Sequence, residues 1–270
     1  MNLNTITSVK RPHSLEEIDG WRAGNAWLAG GTWLFSEPQI HTDTLIDLEL
    51  LRWPSLIERE DELEIGATCR IAELYAYRAR SEWIGASLIA ECCRSFLASF
   101  KIWNEATIGG NIVMSLPAGP MISLTAALEA VYELWPLDGE PRRVSAIDFV
   151  TGNHANVLAP GELLRSIHVP VAALRKRHAF RRASLTHLGR SSVLLIGTRS
   201  ADDILLTITA ATLRPVQLRM EPALTAHDVR RRIDDAIPDE MYLADVHGSP
   251  AHREHLTHYF GAQIVAELSA

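Results

Sequence analysis

The chain has 270 residues, 47% of them hydrophobic and 22% charged, with a formal net charge of −7. That is an ordinary globular composition, long enough for roughly two domains around a sizeable core, and its acidic balance argues against a nucleic-acid binder. No apolar run approaches the ~18 residues of a membrane span, and the opening MNLNTITSVKRP carries no apolar core of an export signal, so a cytoplasmic location is expected.

Arg11-Pro12 breaks the entry, and Ser14 with Glu17 three residues on predicts a capping box for a short helix. Trp27-Leu28-Ala29 reads as a short buried strand delivering a Gly30-Gly31 turn, and Thr44–Leu48 as a second strand. Glu62–Ile65 alternates as a strand with one buried face, and a helix follows near Ile71–Arg78. Ile84, Leu88, Cys92 and Phe96 recur every four residues, the mark of an amphipathic helix read as scaffold. It leads to a predicted loop at Thr107–Asn111. A helix is expected over Met121–Ala130. Next comes a hairpin in which Val131–Trp135 alternates, Asp138-Gly139 turns and Arg142–Val144 returns. Pro160-Gly161 turns into a strand over Glu162–Val169, and a boundary falls near Pro170–Lys176.

Beyond it Ala179–Ala183, Ser192–Thr198, Ile204–Thr209 and Val216–Met220 are four short strands. Thr225 with Asp228 starts a helix through Ile233, and Ser249-Pro250 opens a last helix with a stripe of Leu256, Phe260, Ile264 and Leu268. A meander backed by helices makes this an α+β unit. His252, His255 and His258 spread over about 120° of the last helix, so they do not converge on one ion. Cys69, Cys92 and Cys93 form no even framework and no metal spacing; they read as buried reduced side chains, and the chain cannot hold an iron–sulfur cluster alone. Asp202-Asp203 and Asp234-Asp235 read as solvated caps.

The chain is organised around Asn104–Pro120, NEATIGGNIVMSLPAGP. Adjacent glycines let a backbone approach a ligand closely, and consecutive amides in such a turn can form an anion nest. Each glycine pair has a hydroxyl neighbour, Thr32 or Thr107, able to donate to a phosphate oxygen. Two such loops would cradle a diphosphate from both sides.

The motifs Ala29-Gly30-Gly31-Thr32 and Ala106-Thr107-Ile108-Gly109-Gly110-Asn111, about 75 residues apart, resemble those of the FAD-binding (medium) subunits of molybdenum hydroxylases, the xanthine dehydrogenase and carbon monoxide dehydrogenase class. The resemblance runs from Arg11-Pro12 to the C-terminal helix. It implies an α+β fold: a two-part FAD-binding domain of the vanillyl-alcohol-oxidase-like type over 1–172, with subdomains of about 1–55 and 56–172, then a small antiparallel-sheet-plus-helices domain over 173–270. It further implies that Ala29, Gly30, Gly31, Thr32 and Trp33 contact FAD from one loop and Thr107, Ile108, Gly109, Gly110 and Asn111 from the other. Leu164 would pack on the isoalloxazine, and Arg181 would supply a basic group beside it. Asp245–Arg253 resembles a structural segment before the family's last helix.

The implied activity is that of an oxidoreductase subunit. An iron–sulfur subunit and a molybdenum-cofactor subunit would be its partners in a heteromeric complex, with NAD or oxygen as the electron acceptor. The chain itself would contribute no catalytic acid or base. Departures from the pattern are Trp33 and Pro120, where the family carries acids, Ile102-Trp103-Asn104 before the second loop, and Leu188-Gly189 in place of an acid pair. They motivate a second reading, a structural or assembly subunit with weakened or lost FAD binding. A stand-alone flavin oxidoreductase is the third.

Overall fold

Among the described residues three sheets of three or more strands form from three successive stretches of chain. The computed structural model describes residues 3–270, so the first two positions of the first predicted unit and of the opening stretch lie outside the described residues. Strands β1 (Ser8–Lys10), β2 (Asn25–Leu28) and β3 (Thr44–Asp47) make a parallel sheet in the order β1-β3-β2. Central β3 buries Thr44, Leu45 and Ile46. The expected capping box does not form. The Glu17 carboxylate accepts from the His13 amide at 2.9 Å, whereas Ser14 makes no side-chain cap on the short 3-10 turn Leu15–Glu17.

The second sheet joins β4 (Leu56–Glu58), β5 (Glu62–Gly66), β6 (Val131–Trp135), β7 (Arg142–Ser145) and β10 (Leu163–Pro170), with a separate hairpin of β8 (Val150–Gly152) and β9 (Ala155–Asn156). Its order is β4-β5-β10-β6-β7, antiparallel throughout. Alternation sends Leu63, Ile65, Tyr132, Leu134 and Ile167 to one face, where they share a core with Leu88, Cys92, Ile108, Ile112, Met121 and Leu124. Those partners come from the helices inserted between β5 and β6: α1 (Ile71–Ala76), α2 (Ser87–Ser95), α3 (Phe100–Trp103), α4 (Ile108–Val113) and α5 (Pro120–Ala127).

After α6 (Ala146–Phe149) and α7 (Val171–Leu174), the third sheet is a meander of β11 (Arg177–Ala183), β12 (Val193–Arg199), β13 (Ile204–Thr209) and β14 (Val216–Met220). Helices α8 (Ala226–Ala236) and α9 (Pro250–Ser269) close one face, burying Val229, Ile233, Ile264 and Leu268. Thr225 and Ser249 cap them, accepting from the amides of Asp228 at 3.2 Å and His252 at 3.3 Å. The other face meets α5, where Ser123 Oγ lies 2.6 Å from Thr209 Oγ1 and Gln217 Nε2 donates to the Ala126 carbonyl at 2.7 Å.

The segment Asp245–Arg253 has a structural task. Arg253 is fully buried. Its guanidinium donates to the carbonyls of Ala210 at 2.6 Å, Gly248 at 3.2 Å and Ser192, and to Asp245 at 2.5 Å. A buried charge is tolerated only with such a full set of acceptors. On α9, His258 pairs with Asp234 of α8 at 2.6 Å, with Glu254 beside them.

Candidate functional site

The two glycine pairs meet at one cavity of about 670 Å³, within the roughly 300–1,000 Å³ range of pockets that hold large ligands. Its walls are Ala29–Leu34 after β2, the first turn of α4, Ser95–Ala98 with Ile102, the turn leading to Pro120, and Leu163, Leu164, Leu188, Arg190 and Ser191.

In the first loop each glycine has its own reason. A Cβ on Gly30 would sit 1.8 Å from the Glu105 carbonyl oxygen, so the loop touches the α3–α4 connection backbone to backbone. Gly31 adopts φ +66°, a conformation that L side chains rarely take. The turn closes through Phe35 N to Gly31 O and Ser36 N to Trp33 O, both at 2.8 Å. Among the described residues the amides of Gly30, Gly31, Thr32 and Trp33 have no protein acceptor. Four consecutive unspent donors beside a cavity suit an anion.

The second motif departs from expectation. Thr107–Asn111 is a helix start, with Thr107 as N-cap, not an open loop. Its amides are spent on protein: Ile108 N on Cys69 O and Gly109 N on Ala67 O, both at 2.9 Å, Gly110 N on Thr107 Oγ1 at 3.1 Å, and Asn111 N on Thr107 O at 3.1 Å. Gly109 is small because a Cβ would lie 2.6 Å from Ala67. Gly110 is different, since a Cβ there would meet only Thr107 Oγ1, at 3.0 Å. What this turn offers the cavity is the bare Gly110 Cα, the Thr107 hydroxyl proton and Asn111 Nδ2, the Asn111 Oδ1 being taken by Met121 N at 3.1 Å.

All the residues expected at the site line this cavity except two. Ile108 is fully buried in the core of the second sheet. Arg181 turns to α9, donating to Glu267 at 2.5 Å and to Gln263 at 3.2 Å. Its neighbour Arg182 points the other way, as strand alternation requires. It holds Ser191 Oγ at 2.7 Å and the Gly189 carbonyl at 2.5 Å. Leu164 is buried at a break in the β10–β6 register between Leu164 and Ser166, and faces the cavity. Trp33 and Pro120 both line the wall, and the Trp33 ring lies 5.8 Å from that of His154.

The end of α2 is more than scaffold, because Phe96 and Leu97 are cavity wall. Sequence reasoning gave no role to Ile102, Leu188, Arg190 or Ser191 there. For Ile102 and Leu188 the signal lay in the same departures from pattern that read only as losses; Arg190 and Ser191 carried none. Among the described residues the lining holds a single carboxylate, Glu162, gripped by two nitrogens of Arg142 at 2.6 Å. Burial raises this carboxyl, and the Arg142 fork with the Ala159 amide more than offsets it, leaving Glu162 below the ordinary range. Trp27 also faces the cavity, and its indole N–H is buried without an acceptor among the described residues. Unspent amides, an orphaned donor and apolar walls together fit a long anionic ligand with an aromatic ring, as FAD is.

The comparisons agree with that geometry. Residues 6–172 match the model of the FAD binding domain in molybdopterin dehydrogenase. The carbon monoxide dehydrogenase medium chain of Afipia carboxidovorans is 37% identical over 84 residues, 31% of this chain and 29% of that one. Xanthine dehydrogenase of Oryza sativa subsp. japonica is 29% identical over 118 residues, 42% of this chain but 9% of the rice protein. The chain thus spans well under half the length of these two relatives. Carbon monoxide dehydrogenase of Hydrogenophaga pseudoflava shares the fold, with a TM-score of 0.82 at 19% identity over 98% of both chains. No helix among the described residues is long and apolar enough to cross a membrane. With its family model covering more than half of its length, the chain belongs to the FAD-binding domains of the molybdopterin dehydrogenases.

Proposed function

We propose that this chain is the FAD-carrying subunit of a molybdenum hydroxylase complex and that it relays electrons from an iron–sulfur subunit to an external acceptor such as NAD or oxygen. The observation that carries the reading is the set of unspent amides at Gly30–Trp33, which open on a cavity of about 670 Å³. In this reading residues 1–172 form the FAD-binding domain and 173–270 close its flavin end. FAD supplies one- and two-electron transfer when bound; the protein supplies binding and electronic tuning.

The Gly30–Trp33 amides and the Thr32 hydroxyl donate to the diphosphate, joined across the cavity by the Thr107 hydroxyl and Asn111 Nδ2. The bare Gly110 leaves room for it. Leu164 gives the ring an apolar seat. Arg142 keeps the Glu162 charge from repelling the phosphates.

Among the described residues the cysteines offer no seat for an iron–sulfur centre. The three cysteines are buried and unpaired. Burial pushes the thiols of Cys69 and Cys93 up to about 12 and that of Cys92 well above its ordinary value, so they stay protonated rather than ligating metal. In this reading the donor is an iron–sulfur centre on another subunit, and substrate oxidation takes place on a third, the molybdenum-cofactor chain. Anaerobic stopped-flow spectra test this. A hydroxylase substrate should leave the FAD of the lone chain oxidised and bleach it in the complete complex. Rapid, substrate-specific bleaching in the lone chain would instead favour a stand-alone oxidoreductase.

A further inference from the structure

The cavity lining holds one positive side chain among the described residues, Arg190, and its only negative one is already neutralised by Arg142. Arg190 is exposed at the cavity wall, and among the described residues its guanidinium has no hydrogen-bond or ion-pair partner.

The backbone around it is fixed from three sides. Arg182 holds the Gly189 carbonyl at 2.5 Å and Ser191 Oγ at 2.7 Å. Ser192 N donates to Ala183 O at 2.8 Å, and the buried Arg253 guanidinium donates to the Ser192 carbonyl. A surface arginine on a mobile loop gains nothing from such bracing. An arginine that must keep its charge against a bound group does. Arg181 cannot take that part, because Glu267 and Gln263 of α9 hold it.

We propose that Arg190 is the residue that sets the charge environment of the flavin ring, placing a cation against it and favouring its reduced, negatively charged form. The inference rests on the FAD reading above. It draws on Arg190 lining the same cavity as Leu164 and Leu188. An arginine that lines the cavity with no partner of its own among the described residues has its charge available to a bound group, and the protein tunes a flavin through such charges.

The test uses the FAD-loaded chain and two readouts that need no partner: the reduction potential of the bound FAD, from dye equilibration, and its affinity for sulfite. Sulfite adds its sulfur lone pair to a ring nitrogen and leaves negative charge on the ring, so no external reductant enters. Arg190→Gln should weaken sulfite binding about tenfold and lower the potential by ~30 mV, the two-electron equivalent of tenfold. Arg190→Lys should keep most of both, and Arg181→Gln should change neither. Unchanged potential and sulfite affinity in Arg190→Gln would overturn the proposal. So would a large loss of FAD affinity at unchanged potential, which would put the cation on the diphosphate. A wild-type chain that binds no FAD would sink the flavin reading itself.

Discussion

The two glycine pairs look alike in sequence and do unlike work. At Gly30-Gly31 the backbone presses against the Glu105 carbonyl, turns through φ +66°, and leaves four amides without an acceptor among the described residues, in a loop that lines the cavity. At Gly109-Gly110 the same letters sit in the first turn of α4, where every amide from Ile108 to Asn111 is already bonded within the protein. The first pair makes donors; the second makes room. A diphosphate held between them would take most of its hydrogen bonds from one side and find the space for its oxygens on the other. One glycine of each pair serves the fold, Gly30 against Glu105 and Gly109 against Ala67. Counting glycines as ligand contacts therefore overstates the site.

Substitution can break that comparison. Gly30→Ala should have the largest effect, since the added carbon would stand 1.8 Å from a backbone oxygen that no side-chain rotation can move. Overpacking of this kind should cost about 3 kcal/mol or more, read as a lower urea midpoint together with lost FAD. A stable Gly30→Ala chain would mean that the loop is not pinned to the α3–α4 connection. Gly110→Val comes next. Its Cβ meets only the Thr107 hydroxyl, at 3.0 Å, so the fold should lose no more than a weakened cap, roughly 1 kcal/mol. The remaining atoms project into the cavity, and FAD retention should be abolished. The flavin-to-protein ratio of the folded variant decides; a wild-type ratio would show that the second pair makes no room.

Much of the fold was legible because local signals agreed. Ile204–Thr209 and Val216–Met220 are strands at the limits expected from the turns that flank them, and Thr225 and Ser249 cap helices where their side chains predicted. What could not be read was set by long-range packing. Two glycines argue against a helix, yet α4 starts at Ile108 because the carbonyls of Ala67 and Cys69, some forty residues away on the β5–α1 connection, take its first amides. Alternation placed Arg181 and Arg182 on opposite faces. Which face meets the cavity depends on α9, whose Glu267 lies 86 residues downstream of Arg181. Phe96 ends a helical stripe that explains it fully as scaffold, and only the closing of the cavity gives it a second task beside Leu97.

The smallest effect concerns the residue that follows each motif. After Gly109-Gly110-Asn111 comes Ile112, fully buried beneath the second sheet. After Gly30-Gly31-Thr32 comes Trp33, half-buried on the cavity wall with His154 behind it. If the first loop alone turns its side chains to the ligand, the indole should lie along bound FAD and contribute through contact rather than charge. Aromatic contacts of this type contribute about 0.5–1.5 kcal/mol beyond area burial, so Trp33→Ala should weaken FAD binding roughly three- to tenfold. Stability should barely change, because the ring packs on cavity and solvent more than on core. Titrating apoprotein with FAD gives the affinity. Tryptophan fluorescence, compared between wild type and variant, should lose the part of its quenching that Trp33 supplies. Equal affinity and equal quenching would place the indole away from the ligand and leave the backbone amides as the first loop's whole contribution.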